Sequence, residues 1–141
     1  MNNKILNIIL LILWLGTIFF FSSQNSEDTT NTSSKLDFII NIIVKDESKK
    51  DEARFIVRKI AHFTEYFILA LLVLNVVKDY KTIDYKWLLF ILIMCIIYAI
   101  SDEYHQSFVD GRVSSIKDVI IDSCGSLLSL ICYKVIRILK K

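Results

Sequence analysis

Apolar residues gather in four blocks along the chain, and polar residues cluster between them. The first block runs from Ile5 to Phe21 behind Lys4, the second from Ile60 to Val77, the third from Trp87 to Ile100, and the fourth from Ile116 to Ile138. A helix needs about 20 mainly apolar residues to cross a bilayer, and these blocks meet or approach that length. The first is long for the apolar core of a signal peptide, and Phe19, Phe20 and Phe21 stand where a small-residue cleavage site would be. It is expected to be a retained transmembrane helix.

The polar stretches have their own pattern. SSQNSEDTTNTSSK, after the first block, has the composition of an exposed loop. Leu36, Ile39, Ile40 and Ile43 then recur at helical spacing, predicting a short amphipathic helix that Ser33 or Ser34 would cap. Too short to span, it is expected on the bilayer surface. KDESKKDEAR reads as the connector to the second span. The predicted fold class is all-α: an integral membrane four-helix bundle with a short amphipathic interfacial helix between spans one and two. A single domain, 1–141, is expected, with spans at about 4–23, 58–77, 87–106 and 116–138.

Depth counting extends the third span. Its 14 uncharged residues reach only about 21 Å, against a hydrocarbon core of about 30 Å, so the following SDEYHQ is expected to continue the helix. Counted from Val77, Trp87 and Tyr133, residues His62, Asp102 and Asp118 each lie 15 positions away. At the helical rise that is roughly 22 Å. Glu65 and Asp122 fall at about 16–18 Å. Four spans place the end of the first and third and the start of the second and fourth on one side. All the polar span ends are there: Ser22, Ser23 and Gln24; Arg58, His62 and Glu65; Asp102, Glu103, His105 and Gln106; Asp118 and Asp122.

A charged group at such depth costs roughly 2.5–3.5 kcal/mol on insertion scales and persists when turned inward and paired. Helical spacing permits that: His62 and Glu65 are three apart, Arg58 is one turn earlier, and Asp118 and Asp122 are four apart. An inward-facing polar pocket is therefore expected, lined by Gln24, Arg58, His62, Glu65, Asp102, Glu103, His105, Gln106, Arg112, Asp118 and Asp122. Isolated pairs would serve structure alone, but five or more ionisable groups at one level favour a functional site. Snorkelling suffices for the long Arg58, Lys59 and Lys117 side chains, not for short aspartates. Asp110–Gly111 reads as a turn. Gly125 and Ser129 form a small-xxx-small pair suited to helix packing.

Composition agrees with a membrane class. The 141 residues are 54% hydrophobic with mean hydropathy +0.49 and no proline. A net charge of +2, with no basic stripe interleaved with aromatics, excludes nucleic acid as an expected partner. Cys95, Cys124 and Cys132 lie in apolar blocks without metal spacing and read as small hydrophobes. Eight cations fall on the termini side and nine on the other, but the eight hug the helix ends, where the positive-inside rule counts most. The termini are expected to be cytoplasmic and the polar pocket to face outward.

FFFSSQ (Phe19–Gln24), RKIAHFTEYFIL (Arg58–Leu69), SDEYHQSFVDGR (Ser101–Arg112) and DVIIDSCG (Asp118–Gly125), in this order, resemble the VanZ-like family of small bacterial membrane proteins. The resemblance covers nearly the whole chain. It departs in having Cys124 before Gly125 and Ser129 where a second small residue often stands. What it implies is a multi-pass protein of the cell envelope, associated in the family's named member with low-level resistance to the lipoglycopeptide teicoplanin. It implies no mechanism.

Two function classes follow. In the first, the pocket binds an anionic lipid headgroup, a cell-wall precursor or the antibiotic, with Arg58 and Arg112 as bidentate anchors. In the second, the protein is an intramembrane hydrolase or transferase acting on an envelope lipid. His62, Glu65, Asp102 and His105 are its catalytic candidates, and His62, Glu65, His105 and Asp118 are candidate ligands for a divalent metal. A transporter is disfavoured by four short spans without an inverted repeat. Oligomeric state is left open.

Overall fold

A computed structural model describes residues 3–23, 42, 46–109 and 114–140. Four helices make up its order: α1 (Asn3–Ser22), α2 (Glu47–Lys78), α3 (Tyr85–Gln106) and α4 (Ile116–Leu139). All four are long and apolar enough to cross a membrane. Among the described residues there is no strand. The amphipathic helix expected around Leu36–Ile43 and the Asp110–Gly111 turn lie outside the described residues.

The boundaries have local causes. Asp84 caps α3, its carboxylate accepting from the Trp87 backbone N–H at 3.0 Å. At the far end α3 continues through SDEYHQ to Gln106, as depth counting requires. The start of α2 differs from expectation. KDESKKDEAR does not form a linker; Asp46 caps a helix there, accepting from the Ser48 N–H at 3.1 Å. The segment is polar, but Glu, Lys, Ala and Arg are good helix formers. Arg54 also pairs with Asp51 one turn away at 2.8 Å. At the helical rise the 32 residues of α2 span about 48 Å, so its first three turns project past a 30 Å core.

α2 and α4 make the most extensive contact, α3 packs on α4, and α1 lies against α2 and α3. The α2–α4 contacts keep a nearly constant offset: Lys59 meets Asp118, His62 meets Asp122 and Tyr66 meets Ser126. Two helices with that register run in the same direction, and Gly125 sets their separation. A Cβ there would overlap the Phe63 carbonyl oxygen, so a side chain at this position would force the helices apart. Gly16 on α1 has nothing within 4 Å of such a Cβ.

The burial pattern is inverted relative to a water-soluble bundle. Large apolar side chains cover the outside, among them Leu13, Phe20, Ile100 and Ile120, while Asp102, Glu103, Gln106, Asp122, Ser126 and Ser129 are buried. A single exposed leucine is unremarkable, but an apolar exterior around a polar interior is what hydrocarbon solvent selects. The apolar core proper is small: Ile18, Tyr66, Leu69, Ala70, Leu74, Ile91, Cys95 and Ala99 lie at its centre. Cys95 alone of the three free cysteines is buried.

Candidate functional site

The polar end of the bundle is built by all four helices. From α2, Lys59 forms an ion pair with Asp118 in the first turn of α4; the side chains are 17% and 13% exposed. One turn deeper, His62 Nδ1 stands 3.5 Å from Asp122 Oδ1. That is an ion-pair separation rather than an aligned hydrogen bond, and both Asp122 oxygens and His62 Nδ1 are buried without a hydrogen-bond partner. Asp122 is fully buried. The carboxyl groups of Glu65 and Asp118 lie within electrostatic reach of His62, and those of Asp102 and Asp118 within reach of Asp122.

The end of α3 supplies the other wall. Gln106 donates to Asp102 at 3.0 Å across one turn, and both are buried. Glu103 accepts from the Ser115 backbone N–H at 2.8 Å, which pins the start of α4 to the end of α3. Its second oxygen, Oε1, is buried without a hydrogen-bond partner. From α1, Phe19 stacks on His105 with ring centroids 4.6 Å apart, and the His105 Nε2 is buried and unpartnered. Ser22 at the end of α1 and Tyr66 below the His–Asp pair also bury hydroxyls without partners. A buried polar atom left without a partner costs about 1–3 kcal/mol, so polar groups at this depth call for hydrogen-bond partners.

Three further bonds set the level of this end. Trp14 donates to the Glu65 carbonyl at 3.0 Å, Tyr98 to the Leu15 carbonyl at 3.0 Å, and Ser126 to the Tyr66 carbonyl at 3.3 Å. They clamp α1 to α2, α3 to α1 and α4 to α2 just beneath the ionisable layer. Glu65 is partly buried at that layer.

The expected residues are therefore brought together unevenly. His62, Glu65, Asp102, Glu103, His105, Gln106, Asp118 and Asp122 share the polar end. Arg58 does not turn inward as expected: it is exposed, its guanidinium 5.9 Å from the centroid of the Phe55 ring. Lys59, the next residue round the helix, faces α4 instead. Sequence spacing put Lys59 among the snorkelling cations, and only the α2–α4 register shows that it reaches Asp118. Tyr66 was also missed, because an apolar-block tyrosine gives no signal before its hydroxyl is seen buried. Gln24 and Arg112 lie outside the described residues. Among the described residues no three His, Cys, Asp or Glu side chains are grouped to hold a metal ion, so His62, Glu65, His105 and Asp118 do not form the expected ligand set there.

Comparison with curated proteins and with solved structures gave no match. A family model, described as VanZ/LLP1, matches residues 7–137 and so spans all four helices. With that match over nearly its whole length, this four-span chain belongs to the VanZ/LLP1 family.

Proposed function

We propose that this VanZ/LLP1 protein binds a polar group of an envelope molecule in an outward-facing site at the polar end of its bundle, and contributes to teicoplanin-type glycopeptide resistance by doing so. The observation that supports the reading is the set of buried polar atoms with no hydrogen-bond partner among the described residues, on His62, Glu103, His105 and Asp122 of α2, α3 and α4 at the polar end. Buried polar groups call for hydrogen-bond partners, and a ligand that enters from outside would supply them. The described part of the site holds five carboxyl groups, on Glu65, Asp102, Glu103, Asp118 and Asp122, against the ammonium of Lys59 and the imidazoles of His62 and His105. Such a surface favours a ligand rich in hydroxyl and ammonium donors over a bare phosphate. The saccharide of a cell-wall precursor and the sugars of a glycopeptide both have that chemistry.

The test is teicoplanin susceptibility in a sensitive host expressing the protein. Wild type is expected to raise the inhibitory concentration, and Asp122→Asn with Glu103→Gln to abolish the increase at an equal level of membrane protein. Full protection by that double variant contradicts the proposal.

A second reading rests on the His62–Asp122 pair. A histidine beside a buried carboxyl can serve as a general base, which suits hydrolysis or group transfer on an envelope lipid. Turnover of a lipid substrate that disappears in His62→Gln while binding survives would favour it over binding alone.

A further inference from the structure

At the opposite end of the bundle the turn between α2 and α3 and the last turns of α4 enclose an open groove of about 470 Å³. Lys78, Lys81 and Arg137 bring three cations to it, and Tyr80 and Tyr133 form aromatic walls. Among the described residues no acid lines it. The two acidic residues of the turn are engaged elsewhere: Asp79 accepts from Asn7 at 2.8 Å, and Asp84 caps α3. One guanidinium nitrogen of Arg137 donates to the Ile83 carbonyl, which fixes the side chain against the groove floor. The two lysines are held only by ring faces, Lys78 at 5.7 Å from the Tyr133 centroid and Lys81 at 6.0 Å from that of Trp87.

We propose that this groove is a binding site for the phosphodiester headgroup of an anionic membrane lipid in the leaflet on the termini side. Three observations converge. The groove sits at the membrane-facing ends of spans, where a headgroup is delivered by the bilayer itself. Its charge is uncompensated by any lining acid among the described residues, and a guanidinium bonded to the backbone with two ammonium groups resting on rings matches phosphate, the arginine giving directed N–H donors and the lysines point charge. Its tyrosines sit where amphipathic rings are favoured, between hydrocarbon and water. Basic pockets between helices at this depth are a general mode of lipid recognition. The inference is independent of the proposed role of the polar end.

The full chain, reconstituted in phosphatidylcholine nanodiscs doped with phosphatidylglycerol, tests it by native mass spectrometry of retained lipid. Wild type is expected to hold one phosphatidylglycerol above the statistical level. Lys78→Gln with Lys81→Gln is expected to weaken that binding about thirtyfold, and Lys81→Gln alone about fivefold. A charge-matched control, Lys86→Gln with Lys140→Gln, removes exposed cations outside the groove and is expected to change binding less than twofold. An equal loss in the control, or equal retention of phosphatidylcholine, overturns the proposal. Stoichiometric displacement of the lipid by millimolar inorganic phosphate overturns it too, since the groove would then be a site for the free ion.

Discussion

The two ends of this bundle carry similar numbers of ionisable groups and use them in opposite ways. At the termini end the cations are lysines that rest on tyrosine and tryptophan rings or turn to solvent and an arginine bonded to the Ile83 carbonyl, while Asp79 and Asp84 are held by Asn7 and the start of α3. At the polar end the charges are mainly carboxyl groups turned into the bundle, with Asp122 fully buried and Glu103 nearly so. Long cationic side chains can leave the hydrocarbon while their helices stay in it; aspartate cannot. The first arrangement places a helix end at the membrane surface and costs little. The second needs partners inside the protein, such as Lys59 for Asp118 and His62 for Asp122.

The contrast can be broken by mutation, beginning where the effect is largest. Gly125→Val places a side chain against the Phe63 carbonyl at the α2–α4 seam. It is expected to lower the thermal stability of the detergent-solubilised protein by about 3 kcal/mol or to prevent assembly. Gly16→Val, with no neighbour within 4 Å of the new Cβ, should leave that stability unchanged.

Next is the ion pair across the same seam. Lys59→Met strands Asp118 in a part-buried position, which is expected to cost about 2 kcal/mol, less than a fully buried pair would lose. Combining it with Asp118→Leu should recover most of the loss in a double-mutant cycle, because two apolar groups replace a buried pair at little net cost. A double variant as unstable as Lys59→Met alone would show that the pair is not the contact described.

Ser126→Ala, which removes the hydroxyl bonded to the Tyr66 carbonyl, is expected to cost about 1 kcal/mol, read from the shift in melting temperature. Smallest is Arg58→Ala. Its exposed guanidinium touches only the Phe55 ring among the described contacts, so stability should move by less than about 0.5 kcal/mol. A large loss would restore Arg58 to the site from which the structure removes it.

The sequence makes the architecture legible because the signal is long and redundant. Four blocks of apolar residues, one lengthened by depth counting, specify four spans, and α3 does run on to Gln106. The end of the bundle that holds the site is legible for the same reason, but the level is off by a turn: counting aligns His62 with Asp118, whereas His62 meets Asp122 and Lys59 meets Asp118. Rotation about each helix is not legible. Arg58 and Lys59 are adjacent in sequence and about 100° apart on the helix. Which of them meets α4 depends on the close approach at Gly125, a tertiary fact. The start of α2 was obscured by polarity: KDESKKDEAR has the charge of a linker but the propensity of a helix, and a capping Asp46 decides between them. The basic groove was also invisible, since Lys78, Lys81 and Arg137 read as ordinary flanking cations until the turn and α4 are placed side by side.

The most direct test of the central claim, that the polar end is a ligand site, is a binding isotherm on the purified full chain in nanodiscs. Teicoplanin and a lipid-linked cell-wall precursor would be titrated against wild type and Asp122→Asn. Saturable binding of one of them at a single site is expected, weakened at least tenfold in the variant, whose carboxamide keeps the shape of Asp122 but not its charge, with the melting temperature of the variant no lower than that of wild type. Absence of saturable binding for both ligands, or equal affinity in wild type and variant, would contradict the account.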